Sequence, residues 1–278
     1  MPYDFRTYLW LTLLSILLIL FLGFFMGRVG IFLALALSLI LNLGSYYFSD
    51  YLVLSMYRAQ EVDYLKAPYI HQVVEELAER AHLPKPKIYL VSEEAPNAFA
   101  CGRDPNHAAI VVTEGLLKVL SPEALQGALG HEMAHILKRD TLIQTITSIL
   151  ATSIISLANL FNFEALLGKR NNPLSALLLA LLAPISATLI QLAISRDREY
   201  QADALGARLC GRAENLALAL ETLEELSCRI PLKNGNPATS QIFMVQPSFG
   251  LNETLERLFD THPPLKDRIY RLRKKARS

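Results

Sequence analysis

The sequence predicts a mainly α integral membrane protein, with four transmembrane helices and a small α+β polar domain. Three observations carry that expectation. Hydrophobic residues make up 52% of the 278 and charged residues only 19%, against ~25% charged in an ordinary soluble domain. Mean hydropathy is +0.28. Four runs, residues 7–27, 29–49, 141–163 and 171–195, contain no Asp, Glu, Lys or Arg, and each matches the roughly 20 residues a helix needs to cross a bilayer core.

The first two runs read as an uncleaved helical hairpin, residues 1–50. A secretory signal would be shorter and end in small residues for cleavage, whereas here Arg28 is followed by a second apolar run of equal length. The turn Gly27-Arg28-Val29-Gly30 is so short that the two helices must be antiparallel neighbours, which returns residue 50 to the side of residue 1. The second pair, residues 141–195, turns at Gly168-Lys169-Arg170-Asn171-Asn172-Pro173. It contains Gln144, Asn159, Asn162, Pro184 and Gln191, so a hairpin packed on protein rather than lipid is the alternative.

Basic residues near the span ends set the orientation. Arg6, Arg58, Lys66, Lys138, Arg139, Arg196, Arg198, Arg208 and Arg212 lie on the side of the N-terminus, against Arg28, Lys169 and Arg170 opposite. The expectation is a multi-pass protein of the inner or plasma membrane whose polar parts, residues 51–140 and 196–278, face the cytoplasm. A net charge of +1 without a basic stripe excludes nucleic acid as a partner. Three widely spaced cysteines suggest reduced thiols rather than a disulfide framework.

Within the polar parts, residues 69–82 repeat apolar side chains at helical spacing through Ile70, Val73, Val74, Leu77 and Ala81, and Pro84 and Pro86 end the helix. Residues 87–91 and 109–113 are rich in branched side chains. Residues 97–101 lie between them and connect through the polar turn 102–107, giving a small sheet with an exposed edge. Ser121-Pro122-Glu123 is a helix start, with a capping serine, proline at the first helical position and an acid at the positive end. Residues 231–250 mix Pro, Gly, Asn and Ser with Phe243, Met244 and Val245 and read as a mobile loop rather than a core element. Helix resumes after Pro263-Pro264.

The helix opened at Ser121 contains His131-Glu132-Met133-Ala134-His135, a His-Glu-x-x-His pattern. Its i, i+4 spacing stacks two imidazoles on one face, where neutral nitrogens can converge on one ion. A hydrolytic zinc site takes three protein ligands and one open position, so a third ligand must be found. Glu199 is the choice, from the segment Ser195–Asp203. Asp203 lies one turn on and could accept the free N–H of a ligating histidine, His131 first. Alone, this segment would read as an ordinary exposed helix face carrying Arg196, Asp197 and Arg198. Glu132 is the carboxylate that takes the proton of the attacking water and passes it to the leaving amine.

These residues together resemble the HtpX-type membrane zinc proteases, relatives of the CaaX prenyl protease within the gluzincin class. The resemblance runs over the initial apolar hairpin, residues 97–102, residues 130–135, the second apolar pair, residues 195–203, and Thr261-His262-Pro263-Pro264 with Arg268. Cys101 departs from the small hydroxyl-like residue expected there. The resemblance implies a zincin-like catalytic domain with one Zn2+ per chain on His131, His135 and Glu199, and Glu132 as catalytic carboxylate. It also implies cytoplasmic proteolysis of membrane or misfolded proteins in quality control, and brings His262 and Arg268 to the site as transition-state donors. His262 equally suits a helix-start residue holding the Pro-Pro turn.

An extended substrate added as a strand to the edge at Asn97, Ala98, Phe99 and Ala100, or to residues 109–113, would be held by main-chain hydrogen bonds regardless of its sequence. The alternative is an edge covered by the 231–250 loop. Six residues separate His135 from Thr141, about 9 Å along a helix, which expects the metal just above the bilayer surface. A membrane scaffold keeping a structural zinc is the competing reading, but it has no need of Glu132. A transporter would carry ionisable residues inside its spans, and these four runs have none.

Overall fold

The computed structural model describes residues 3–160, 195–227, 229–232, 237–248, 260 and 262–276, with single positions at 184, 187, 188 and 191. The expected turn at 168–173 and most of the fourth apolar run lie outside the described residues.

Helix α1 (Tyr3–Tyr47) is broken at Gly27, whose φ of 58° and ψ of −138° are not helical and are accessible at no steric cost to glycine alone. In a straight helix residues 22 and 30 would lie about 12 Å apart. Here the backbone of Gly30 closes on the Leu22 carbonyl with no room for a Cβ, and Ile31 packs on Gly23. The chain therefore reverses at the expected turn. Large apolar side chains stand outward from both arms, with Leu20 64%, Phe24 83%, Phe32 72% and Leu39 61% exposed. Among the described residues no helix is long and apolar enough to cross a membrane, and the four spans remain a reading of the sequence.

A short helix, α2 (Ser49–Met56), leads into strand β1 (Gln60–Glu61), which the sequence reading missed because two polar residues carry no strand pattern. Helix α3 (Pro68–Ala81) buries Ile70, Val73, Val74, Leu77, Ala78 and Ala81. It ends at His82 in the left-handed conformation, with Leu83 N–H bonded to the Ala78 carbonyl and His82 N–H to that of Glu79, the Schellman pattern that satisfies terminal carbonyls.

Strands β2 (Lys87–Val91), β3 (Ala98–Cys101) and β4 (Ala109–Thr113) complete a sheet in the order β1-β2-β4-β3. β2 and β4 run parallel with Lys87 opposite Ala109, and β3 runs antiparallel to β4 with Ala98 opposite Val112. Successive side chains alternate between two cores, as the strand period of two requires. Ile88, Ala98, Ala100, Ile110 and Val112 face the main core, while Val91, Phe99, Cys101, Ala109 and Val111 join Val53, Tyr57, Ile242 and Phe243.

That second core corrects the reading of residues 231–250 as a mobile loop. Residues 237–242 form a 3₁₀ turn, and Ile242, Phe243, Met244 and Val245 are buried. The rings of Tyr57, Phe99 and Phe243 pack with centroids 5.2–5.4 Å apart. Without this segment the back face of β3 would meet water, and a Pro/Gly/Ser composition does not reveal such a long-range demand. Residues 233–236 and 249–250 of that stretch lie outside the described residues.

Helices α4 (Glu114–Val119), α5 (Pro122–Lys138) and α6 (Asp140–Leu160) follow, then α7 (Arg196–Cys210), α8 (Ala213–Ser227) and α9 (Leu265–Ala276). Ser121 caps α5 by accepting the Ala124 N–H at 3.2 Å. The first half of α6 packs on protein. Thr141, Gln144, Thr145 and Ser148 are buried with Leu142, Ile143 and Ile146, and Gln241 Nε2 donates to Ser148 Oγ at 2.7 Å. Cys101 and Cys210 are free, buried thiols.

The crossing of α5 and α7 places the site. A Cβ on Gly206 would lie 2.8 Å from the His131 backbone nitrogen, and one on Gly130 would strike Cys210. Two glycines let these helices meet backbone to backbone, which larger side chains would hold at the usual 8–10 Å between axes.

Candidate metal centre

His131, Glu132 and His135 project from the middle of α5 into the interior, at 0%, 1% and 4% exposure. Their Nε2 atoms lie 3.1 Å apart for the two histidines. Glu199, in the first turn of α7, turns inward at the same point. Its Oε2 is 3.6 Å from His131 Nε2 and its Oε1 is 3.5 Å from His135 Nε2. One ligand atom from each of the three residues lies within 4.8 Å of the others.

Both Glu199 oxygens are buried without a hydrogen-bond partner among the described residues, although buried polar atoms are nearly always paired. Two imidazole nitrogens and a carboxylate converging on one point are a donor set suited to zinc. These residues fit the metal the sequence calls for.

The outward ring nitrogens are held too. His131 Nδ1 lies 3.0 Å from Asp203 Oδ1, and His135 Nδ1 lies 3.3 Å from Asp140 Oδ2. Asp140 also meets Arg198 Nη1 at 3.1 Å. The sequence reading missed Asp140, because a residue five beyond His135 is out of helical register with it. It reaches the ring because α5 ends at Arg139 in the left-handed conformation, φ 56°, and the turned chain begins α6. An acid placed between the Lys138-Arg139 pair and the uncharged run from Thr141 was the available signal.

Arg268 is wholly buried and its donors are engaged. Nε and Nη2 donate to Asp203 at 2.9 and 2.7 Å, and Nη1 donates to the Met244 carbonyl at 2.9 Å. This geometry makes it a brace for Asp203, and it also borders the cluster, with Nη2 3.4 Å from His131 Nε2 and Nη1 3.9 Å from Glu199 Oε2. His262 sits differently. It is 6% exposed, with Nδ1 3.5 Å from Glu199 Oε2 and neither ring nitrogen hydrogen-bonded to another described residue.

The edge strand β3 is partly taken. Met244 N–H bonds the Ala98 carbonyl at 2.9 Å, Ala98 N–H bonds its neighbour Asn97 Oδ1 at 3.1 Å, and Asn97 Nδ2 donates to the Val245 carbonyl at 2.9 Å. Alternation along an antiparallel pair turns the backbone groups of Ala98 and Ala100 away from β4. Among the described residues none pairs with those of Ala100.

Burial alone would lower the His131 pKa, but Asp203 and Glu199 carry it up to about 9. Burial pushes the Glu132 carboxyl up, partly offset by the two histidines. Glu199 is held well below the usual carboxylate range despite its burial, by His135, His131 and His262. One acid is thus biased toward holding a proton and its neighbour toward remaining an anion, the separation expected where one carries protons and the other carries charge.

Comparison with known proteins agrees with this arrangement. A Protease HtpX homolog of Syntrophobacter fumaroxidans is 45% identical over 278 residues, covering 97% of this chain and 98% of that protein. One from Pyrococcus furiosus is 47% identical over 256 residues, covering 90% and 88%. In fold, the chain is similar to the crystal structure of S. mikatae Ste24p, with TM-score 0.51 and 18% identity. That likeness covers 98% of this chain and 65% of the solved one. Residues 64–276, the stretch holding every residue of the buried cluster, match Peptidase family M48, and the chain belongs to that family.

Proposed function

We propose that this peptidase is a zinc-dependent endopeptidase anchored in the membrane, with one Zn2+ held by His131, His135 and Glu199. The observation that carries the reading is the convergence of those three buried side chains beside Glu132, whose Oε1 is also buried without a hydrogen-bond partner. Bound zinc supplies Lewis acidity, polarising the scissile carbonyl and acidifying the attacking water. Glu132 accepts that water's proton and returns it to the leaving amine, a task suited to a carboxyl whose pKa burial has raised. Asp203 and Asp140 hold the outer nitrogens of the two histidines and so fix which nitrogen faces the metal. His262, with its ring nitrogens unpartnered beside Glu199, is the donor to the developing oxyanion. The free backbone groups of Ala100 hold an extended substrate, with Asn97, Ala98 and Phe99 completing the edge.

The membrane reading rests on the four uncharged runs and on the exposed apolar side chains of α1. The excess of basic residues on the side of the polar domain orients it to the cytoplasm. Membrane-tethered or misfolded proteins are then its substrates.

The test is cleavage of an unfolded protein substrate by the detergent-purified, zinc-loaded chain and by its Glu132→Gln variant. The variant should keep its metal and lose about 10²–10⁴-fold in rate. Equal rates would remove Glu132 from its role, and failure of the wild type to cleave would leave a scaffold with a structural metal.

A further inference from the structure

Next to the metal centre lies a cavity of about 480 Å³, bordered by Gln246, Pro247, His262, Pro263 and the exposed Arg196 and Lys266. His262 links it to the metal ligands through its 3.5 Å approach to Glu199. Gln246 is its second unusual lining residue, since its Oε1 and Nε2 are both buried and neither has a hydrogen-bond partner among the described residues.

The backbone leading to Gln246 is pinned on both sides. Met244 bonds the Ala98 carbonyl through its N–H and Arg268 through its own carbonyl, and the Val245 carbonyl takes the Asn97 amide. A fixed backbone carrying an unsatisfied buried amide is the state of a binding group waiting for its partner. A primary amide offers N–H donors on one atom, a carbonyl acceptor on the other and no charge, which complements a peptide group rather than a carboxylate or a phosphate.

We infer that the Gln246 side chain binds the main chain of the substrate in this cavity, its Oε1 accepting from a substrate N–H and its Nε2 donating to a substrate carbonyl. This rests on the peptidase reading above. Such a contact is blind to substrate side chains and acts beside the residues that do the chemistry, so Gln246 is a substrate-positioning residue.

The experiment uses the zinc-loaded full chain and a cleavable peptide in which an ester replaces one amide at a time, walked along three positions on each side of the scissile bond. An ester removes a single N–H. In the wild type one ester position should raise KM about tenfold, and in Gln246→Ala that penalty should vanish against an all-amide KM already about tenfold higher. Gln246→Asn, which keeps both groups on a shorter stem, should retain part of the discrimination. A misfolded variant would instead lose kcat on every peptide alike and lose zinc. If no ester position is singled out in the wild type, or if the penalty persists in Gln246→Ala, the inference is overturned. Cleavage that survives Glu132→Gln would instead overturn the underlying peptidase mechanism.

Discussion

Arg268 grips Asp203 through two parallel hydrogen bonds, Nε to Oδ2 at 2.9 Å and Nη2 to Oδ1 at 2.7 Å, and both side chains are buried. The pair joins α9, near the end of the chain, to the helix that carries Glu199. Asp203 in turn holds His131, so one chain of contacts runs from the last described helix to the metal ligands. Charges desolvated this completely are stable only while paired.

Removing the arginine should therefore leave an uncompensated buried carboxylate. Arg268→Ala is expected to destabilise the fold by about 3–5 kcal/mol. Arg268→Lys should recover little of this, since an ammonium cannot make the planar double bond. Thermal unfolding of the detergent-purified variants measures both, and a lysine variant as stable as the wild type would refute the bidentate role.

Asp140 makes the corresponding contact to His135 at 3.3 Å, with Arg198 on its other oxygen at 3.1 Å. Asp140→Asn should weaken zinc binding about 10–100-fold, as loss of a carboxylate behind a ligating histidine does. Glu199→Ala should abolish stoichiometric binding. Competition with a chromophoric chelator reads both constants, and unchanged affinity in Asp140→Asn would show the contact to be incidental.

The turn between β3 and β4 offers a pH-dependent test. Asp104 accepts the N–H groups of Asn106 at 2.8 Å and His107 at 3.1 Å and contacts the His107 ring. Partial burial works against the charge, but these partners hold its carboxyl below the usual value of 3.8. A depressed folded pKa means that the stabilisation is complete above the unfolded value and is lost as pH falls through the folded one. Asp104→Ala should cost about 1 kcal/mol at pH 6, as loss of a cap does. The difference from wild type should shrink as the pH drops below 3.8. A gap in melting temperature that stays constant down to pH 2.5 would exclude the carboxylate as its source.

Much of the polar domain was legible because its signals are local. Lys87–Val91 and Ala109–Thr113 occur as read, since branched residues bounded by turn residues fit a pleated surface and little else. The Ser121 cap and the apolar spacing of α3 needed nothing beyond their neighbours. β1 was missed because its two residues are held by pairing with Tyr89 and Leu90 rather than by their own preference. Residues 242–245 looked like loop because their burial is dictated far away along the chain, Ile242 and Phe243 by the core of Phe99 and Tyr57 and Met244 and Val245 by the main core.

The sequence by itself determined that two histidines share a helix face and that apolar runs alternate with charged segments, because helical periodicity and transfer from water act over a few residues at a time. Only the tertiary structure decided what surrounds those histidines. Which acid faces which ring nitrogen, that Arg268 braces Asp203, and that Asp140 returns to His135 all depend on how closely α5 and α7 approach. That approach is set by the steric match of Gly130 with Gly206, two residues 76 positions apart whose fit no local pattern records.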